Sequence, residues 1–216
     1  MSMASQQPHA ATPVVNAGVP IDQAAAAVIM LHGRGATAES ILSLVDVLDQ
    51  PGFAYIAPQA RDNTWYPYTF LAPLQSNEPF LSSALAKVAA VLAQVTTAGI
   101  PPERTLLLGF SQGACLSSEF AARNARRYGG VVALSGGLIG PDGTQRDYAG
   151  SLAGTPIFLG CSDVDVHIPK ARVLESAAVL RRMGGEVTER LYPQMGHTVN
   201  EDEVAFVRNM LAALVK

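Results

Sequence analysis

The sequence is poor in charged and aromatic side chains. Charged residues make up 15% of the 216 residues and aromatic residues 6%, whereas 49% are hydrophobic. The 15 Lys and Arg against 18 Asp and Glu give a net charge of −3, and no run of basic residues provides the positive surface that nucleic-acid binding needs. The composition argues against a nucleic-acid partner and indicates that most of the chain is buried in layers covered on both sides.

Segments that would direct the chain into or across a membrane are also lacking. The first 20 residues contain no Lys or Arg and no long apolar core, which a secretory signal would require. The apolar stretch at residues 24–31 is far too short to span a bilayer. The two cysteines, Cys115 and Cys161, fall within a predicted helix and at a predicted strand end, which favours buried thiols over a disulfide. We therefore expect a cytoplasmic protein without stable membrane insertion.

The chain alternates apolar strand patterns with amphipathic helix patterns. Strands are predicted at residues 25–31, 53–57, 105–108, 130–135, 156–159 and 186–192, and helices at 37–48, 81–98, from 112 onwards, 169–183 and 201–215. Residues 13–20 are predicted to form a short edge hairpin around Gly18, and residues 1–12 a flexible tail. This alternation predicts an α/β fold, in which residues 13–216 form one domain with a mostly parallel sheet covered by helices on both faces.

The motif Gly-x-Ser-x-Gly lies between a predicted strand and a predicted helix, at Gly109, Ser111 and Gly113. In this context it is typical of a nucleophile elbow, a sharp turn that exposes the serine hydroxyl at the carboxyl end of the sheet. Glycine at both ends of the motif lets the backbones approach where a Cβ would collide. The alternative is an ordinary strand-to-helix turn in which the serine caps the helix.

A serine nucleophile needs a base to accept its proton and an acid to orient that base. Of the four histidines, only His167 and His197 come late enough in the hydrolase order of serine, acid and histidine. His167 lies two residues from Asp165 and has no separate loop from which to reach the serine, so His197 is the predicted base. Its alternative role is that of a partly buried histidine capping the last helix. Asp163 and Asp165 both follow the strand at 156–159, and their spacing does not separate them.

Two backbone N–H groups are candidates for the oxyanion hole, which stabilises the negative oxygen of a tetrahedral intermediate. One belongs to Gln112 at the start of the helix, and the other to Arg34, between Gly33 and Gly35 in the loop after the first strong strand. The alternative for this loop is an ordinary Gly-rich turn. The chemistry requires neither a metal nor an organic cofactor.

Residues 61–77 have no helix or strand period and contain several aromatic residues. Long irregular loops are often functional lids, and aromatic rings offer apolar contact with a polar tip. Trp65, Tyr66 and Tyr68, with the side chain of Arg34, are therefore the predicted wall of a substrate pocket, although Trp65 would equally fill the edge of the sheet. The guanidinium of Arg34 is a candidate group for binding a substrate carboxylate or phosphate. An exposed apolar lid would also suit a second copy of the chain, so a homodimer is a further candidate partner.

Four motifs, in order over nearly the whole chain from about residue 25, resemble the phospholipase/carboxylesterase family of α/β-hydrolases, which includes acyl-protein thioesterases. They are the oxyanion loop Leu-His-Gly-Arg-Gly at 31–35, the elbow Gly-Phe-Ser-Gln-Gly-Ala at 109–114, the acid loop Ser-Asp-Val-Asp-Val-His-Ile-Pro at 162–169 and the histidine loop Tyr-Pro-Gln-Met-Gly-His at 192–197. In the family the acid is the aspartate four residues before the proline of its loop. The resemblance therefore implies Asp165 as the acid.

The resemblance implies an α/β-hydrolase fold and a serine carboxylesterase that hydrolyses small to medium esters. The chain departs from the family at Ser162, where glycine is common, and at Arg34 and Ala36, where Leu and Asp are more usual in the thioesterase-like loop. The second departure places a cation beside the pocket. The same triad would serve an acyl-protein thioesterase or a lysophospholipase, which are the alternatives. A non-catalytic binding protein on this scaffold is the rival from another class, and it is disfavoured because every expected site residue is present.

Overall fold

The computed structural model of the protein describes residues 7–48 and 50–215. Within them, seven strands form one sheet: β1 (Val14–Gly18), β2 (Ala26–Leu31), β3 (Phe53–Pro58), β4 (Thr105–Phe110), β5 (Gly130–Leu134), β6 (Pro156–Ser162) and β7 (Glu186–Tyr192). The helices are α1 (Ala38–Leu42), α2 (Leu44–Leu48), α3 (Phe80–Thr97), α4 (Gln112–Arg123), α5 (Lys170–Arg182) and α6 (Glu201–Leu214). The sheet order is β1-β3-β2-β4-β5-β6-β7, and every neighbouring pair is parallel except β1 with β3.

The two faces of the sheet carry separate apolar layers because successive strand residues point to opposite sides. In β2, Ala27 and Ile29 pack with the buried faces of α3, α4 and α5. Ala26 and Val28 of the same strand pack instead with α1, Leu48 of α2 and α6. All six residues of β2 are fully buried, as its unbroken apolar sequence requires. The predicted α/β class, with a mostly parallel sheet and helices on both faces, is confirmed.

Two predicted elements differ from the structure. Residues 13–20 do not form a hairpin, because β1 pairs antiparallel with β3, with Val14 opposite Pro58. The helix predicted at 37–48 is divided into α1 and α2. At the junction, the hydroxyl of Ser43 donates to the carbonyl of Ser40 at 2.8 Å, and such local serine bonds compete with continuous helix.

The structure differs from the predicted tail at residues 7–12, where Pro8 and His9 are buried, while residues 1–6 lie outside the described part of the chain. His9 is fully buried, and its backbone N–H donates to the hydroxyl of Ser83 at 3.0 Å. Its Nδ1 accepts from the backbone N–H of Arg61 at 3.0 Å, so the ring proton lies on Nε2, which donates to the carbonyl of Trp65 at 2.9 Å. His9, with both ring nitrogens satisfied, thus holds this segment together with Lys87, whose Nζ donates to the carbonyl of Thr12 at 2.5 Å.

By length and composition, α3 is apolar enough to cross a membrane, with 18 residues and a mean hydropathy of 1.4. Its side chains Leu81, Val88 and Val95 are fully buried in the layer beneath β2 and β3. This is the packing of a core helix.

The apolar stretch at residues 24–31, which is too short to span a membrane, contains β2.

We predict that His9→Gln lowers the free energy of unfolding at pH 7.5 by about 1–3 kcal/mol, because buried groups lose their partners. Burial lowers the pKa of His9 below 6.5, aided by the nearby charges of Lys87 and Arg61, although the bond to the Trp65 carbonyl opposes this shift. The folded protein therefore holds the neutral ring, and this stabilisation is complete above pH 6.5 and is lost as the pH falls below it.

The loss of unfolding free energy caused by His9→Gln should accordingly become smaller as the pH is lowered from 7.5 to 5, as measured by urea unfolding at each pH. Ala11→Ser at an exposed neighbouring position is the control, and it should change stability by less than about 0.5 kcal/mol. A loss that stays constant with pH would contradict the neutral buried state of His9.

Candidate active site

Ser111 lies on a strained turn between β4 and α4. Its backbone has φ 55° and ψ −117°, a conformation that residues with a Cβ rarely adopt. A Cβ on Gly109 would collide with the carbonyl of Gly113, and one on Gly113 would collide with the carbonyl of Leu31 at the end of β2. Glycine is therefore required at both positions, and the second requirement comes from a neighbouring strand rather than from the turn itself.

A chain of two hydrogen bonds links serine, histidine and aspartate. His197 Nδ1 lies 2.7 Å from Asp165 Oδ2, and His197 Nε2 lies 2.8 Å from Ser111 Oγ. Because an ionised carboxylate only accepts, Nδ1 carries the ring proton and Nε2 accepts from the serine hydroxyl. The Asp165 side chain is fully buried, whereas His197 is 18% exposed. Three residues separated by up to 86 positions thus converge at the carboxyl ends of β4, β6 and β7.

The two candidate acids have different contacts. Burial acts to raise the pKa of Asp165, but hydrogen bonds from His197 and from the backbone N–H groups of His167 and Ile168 outweigh it and hold the pKa below its ordinary value. Asp163 instead accepts from the backbone N–H of Gln194 at 2.9 Å. Asp165 is therefore placed to orient the histidine ring, and Asp163 to hold the loop that carries it.

The oxyanion loop after β2 approaches Ser111 closely. A Cβ on Gly33 would lie 3.4 Å from the Ser111 Cβ. Within the described part of the chain, neither the Arg34 nor the Gln112 backbone N–H donates to another protein group. The side chain of Gln112 is occupied, since it accepts from the N–H of Trp65 at 2.9 Å and donates to the carbonyl of Tyr66 at 2.8 Å. Two backbone donors thus remain available beside the serine.

His32 supports the oxyanion loop, a role that the sequence analysis missed. Its Nε2 accepts from the backbone N–H of Ala60 at 3.1 Å, so Nδ1 carries the proton and donates to the carbonyl of Gly33 at 2.8 Å. Burial lowers the pKa of His32, which keeps the ring neutral. The indole N–H of Trp65 donates to the carbonyl of His32 at 2.9 Å. The sequence signal that could have indicated this role is the position of His32 directly before Gly33 in the oxyanion loop.

A cavity of about 390 Å³ opens in front of Ser111. Its walls are formed by the oxyanion loop, the loop at residues 61–77 (the aromatic loop), the elbow, and the acid and histidine loops. The lining residues are Gly33, Arg34, Ala36, Tyr66, Thr69, Phe70, Phe110, Ser111, Gln112, Cys115, His167, Ile168 and His197. Phe70 and Ile168 were not predicted to line it. Phe70 lies in the aperiodic stretch at residues 61–77, and Ile168 lies in the acid loop, whose motif does not indicate which of its apolar side chains face a cavity.

Two of the three aromatic residues predicted for the pocket do not line this cavity. Trp65 is fully buried behind it, with its ring centroid 5.5 Å from that of His9 and 5.0 Å from that of His32. Tyr68 is 58% exposed and is not among the lining residues. Only Tyr66 of the three lines the cavity, and the aperiodic sequence of this loop gave no means of telling which ring faces inward.

The side chain of Arg34 lies at the rim of the cavity and is tied to the aromatic loop. Nη1 donates to the carbonyl of Pro67 at 2.9 Å and Nη2 to the carbonyl of Tyr68 at 2.5 Å. The guanidinium carbon lies 6.0 Å from the centre of the Tyr66 ring. No cluster of three or more His, Cys, Asp or Glu side chains suited to a metal ion occurs in residues 7–48 and 50–215.

A serine on a strained strand-to-helix turn, hydrogen-bonded to a histidine that a buried carboxylate orients, defines the serine hydrolases of the α/β-hydrolase class. The chain belongs to one family of that class: the phospholipase/carboxylesterase family model matches residues 12–215. The resemblance found in the sequence motifs is thereby confirmed.

Known relatives agree with this assignment. Acyl-protein thioesterase 1 of Saccharomyces cerevisiae is 26% identical over 220 residues, which cover 89% of this chain and 96% of that protein. Acyl-protein thioesterase 1 of Gibberella zeae is 30% identical over 131 residues, a match that spans 56% of this chain and 54% of the relative. The crystal structure of a phospholipase/carboxylesterase from Dyadobacter fermentans DSM 18053 superimposes with a TM-score of 0.90 at 46% identity and covers 94% of this chain and 97% of that one. The expectation of a hydrolase acting on esters is confirmed at the level of enzyme class.

We predict that Gly113→Ala lowers the free energy of unfolding by about 3 kcal/mol or more, because the new methyl group meets the rigid backbone of β2. Gly196→Ala is the matched control, since a Cβ there has nothing within 4 Å. Chemical denaturation of the two variants measures the difference. Equal stability of the two would show that the elbow does not require the close approach to Leu31.

Proposed function

We propose that this protein is a serine carboxylesterase that hydrolyses small to medium carboxylic esters through an acyl-enzyme on Ser111. The observation that carries the proposal is the hydrogen-bonded chain from Ser111 through His197 to Asp165, with distances of 2.8 and 2.7 Å. A serine hydroxyl is a weak nucleophile near neutral pH, and this arrangement supplies both a base and the group that orients it.

In the first half of the reaction, Ser111 Oγ attacks the ester carbonyl while His197 Nε2 accepts its proton. Asp165 stabilises the imidazolium that forms and keeps the ring in place. His197 then returns the proton to the departing alcohol, which leaves an acyl group on the serine. A water molecule repeats the cycle with His197 as base, releases the carboxylic acid and restores the hydroxyl.

The oxyanion is stabilised by the backbone N–H groups of Arg34 and Gln112. Their value lies in being held in place before charge develops, because such donors need no reorganisation during the reaction. Neutral His32 contributes by holding the Gly33 carbonyl, and the side chain of Gln112 by holding the aromatic loop.

The cavity supports substrates of limited size. Its volume of about 390 Å³ lies near the lower end of the range of about 300–1,000 Å³ for small-molecule sites. Phe70, Phe110 and Ile168 provide apolar wall for an acyl or alkyl group. The unpaired cysteines Cys115 and Cys161, whose burial raises their pKa values to about 12, support our further proposal of a cytoplasmic location.

The second candidate function is hydrolysis of thioesters or lysophospholipids with the same triad. The names of the relatives favour thioesters, since two of them are acyl-protein thioesterases. Thiolates leave easily, so one triad serves both oxygen and sulfur esters. A non-catalytic binding role is less well supported, because the nucleophile, base, acid and both elbow glycines are present and in contact.

We predict that wild-type protein hydrolyses short and medium p-nitrophenyl esters in a series from acetate to palmitate and reacts with a fluorophosphonate probe. Ser111→Ala should lose both properties, with a fall in kcat of about 10⁶-fold or to the detection limit. A thioester series with the same acyl groups ranks the two candidate activities. Wild-type protein that neither labels nor turns over any substrate would refute the hydrolase proposal.

The two aspartates of the acid loop provide a matched pair of variants. Asp165→Asn should reduce kcat by about 10⁴-fold, because the amide cannot stabilise the imidazolium and selects the wrong tautomer. Asp163→Asn disturbs one hydrogen bond to Gln194 and should reduce kcat by no more than about tenfold. Steady-state kinetics with one short ester measures both, and the reverse order would assign the acid to Asp163.

A further inference from the structure

The side chains around the cavity carry one permanent positive charge and no carboxylate. Arg34 is the single Lys or Arg among the lining residues that the structure describes, and no Asp or Glu accompanies it. The carboxylate of Asp165 is fully buried behind His197 and is not part of the lining. Although the whole chain has a net charge of −3, the field inside this cavity therefore favours an anion.

The charge of Arg34 is both fixed in position and uncompensated. Two of its five N–H groups bond to the carbonyls of Pro67 and Tyr68, which hold the guanidinium above the ring of Tyr66. No carboxylate lies within ion-pair distance of it in the described residues, whereas other arginines, such as Arg146 and Arg172, are paired with Glu175. Its remaining donors are thus free for a ligand, and holding the side chain in advance reduces the entropy lost on binding.

We propose that the enzyme acts preferentially on esters that carry a carboxylate, which Arg34 binds at the rim while Ser111 attacks the ester carbonyl. This inference rests on the hydrolase function proposed above and names the substrate class of that site. The carboxylate is a spectator, because water still converts the ester into an acid and an alcohol. One unpaired guanidinium matches the single charge of a carboxylate better than the double charge of a phosphate monoester.

The geometry also limits the distance between the two groups of the substrate. In the proposed reaction the backbone N–H of Arg34, which has no protein acceptor in the described residues, binds the oxyanion, and the guanidinium of the same residue binds the carboxylate. The ester carbonyl and the carboxylate must therefore be separated by no more than the reach of one arginine side chain. Half-esters of short dicarboxylic acids, and acyl esters of short hydroxy acids, meet this condition.

The test compares charged esters with neutral esters of the same size. The first pair places the charge on the acyl part of the ester: monomethyl succinate, and methyl succinamate, in which an amide replaces the carboxylate. The second pair places it on the alcohol part: acetoxyacetate, and acetoxyacetamide as its neutral counterpart. We expect wild-type protein to favour the carboxylate in at least one pair, as measured by the ratio of kcat/KM values. Arg34→Gln should lower that ratio by about 10- to 100-fold, since it removes a charge-assisted hydrogen bond.

Further variants separate the ion pair between Arg34 and the substrate from effects of the net charge of the protein. Arg34→Lys keeps the charge but not the planar guanidinium, so its kcat/KM ratio of charged to neutral ester should lie between those of wild type and Arg34→Gln. Arg182→Gln removes one positive charge at the exposed end of α5 and should leave the ratio at the wild-type value. Raising the salt concentration should reduce the wild-type preference, because the rim is open to solvent.

The outcomes are distinguishable from failure of the hydrolase function itself. Wild-type protein that labels with the fluorophosphonate and hydrolyses the ester bond of the neutral, amide-bearing substrates is an active esterase. If Arg34→Gln then leaves both ratios unchanged, the carboxylate proposal is wrong and the esterase proposal stands. A wild-type preference for the neutral, amide-bearing ester in both pairs equally overturns the carboxylate proposal. Absence of labelling and of all turnover would instead refute the esterase proposal on which this one rests.

Discussion

The site depends on the contact between the first turn of α4 and the end of β2. At Gly113 the helix backbone approaches the carbonyl of Leu31 so closely that no side chain fits between them. Leu31 ends β2, and the next residues form the oxyanion loop. A single close approach therefore sets the distance between the proposed nucleophile on one strand-helix connection and the proposed oxyanion donor on the neighbouring one. The strained backbone of Ser111 persists because the parallel pairing of β2 with β4 and of β4 with β5 holds it from both sides.

The parts of this arrangement that the sequence predicts are those that backbone geometry dictates locally. The two elbow glycines, the unbroken apolar strands and the order of serine, acid and histidine loops all follow from such rules, and together they define the fold class. The choice between Asp163 and Asp165 does not, because both follow the same strand. In the structure it depends on where the histidine loop crosses the acid loop. Pairing of β6 with β7 places the N–H of Gln194 beside Asp163, which leaves Asp165 to meet the imidazole.

The features that the sequence does not predict depend on single long-range polar contacts. Nothing in the composition of residues 7–12 distinguishes a mobile tail from a segment anchored by the polar contacts of His9 and Lys87. The position of Trp65 is equally hidden, since its indole is directed into the core by a bond to the carbonyl of His32 rather than by any hydrophobic pattern. Binary patterns of apolar and polar residues report which face of an element is buried. They carry no information about which polar group will find a partner 50 residues away.

These long-range contacts form one connected support for the loop that carries the proposed oxyanion donor. His9 holds the carbonyl of Trp65, Trp65 holds the carbonyl of His32, and His32 holds the carbonyl of Gly33 beside Arg34. Both histidines are neutral because burial lowers their pKa values, so the support adds no charge next to the position of the oxyanion. The only permanent charge at this edge of the cavity is then the guanidinium of Arg34, within the described residues that line it. In the proposed reaction, a neutral framework with one charged group at the rim separates two tasks: backbone dipoles would stabilise the transition state, and the side-chain charge would select the substrate.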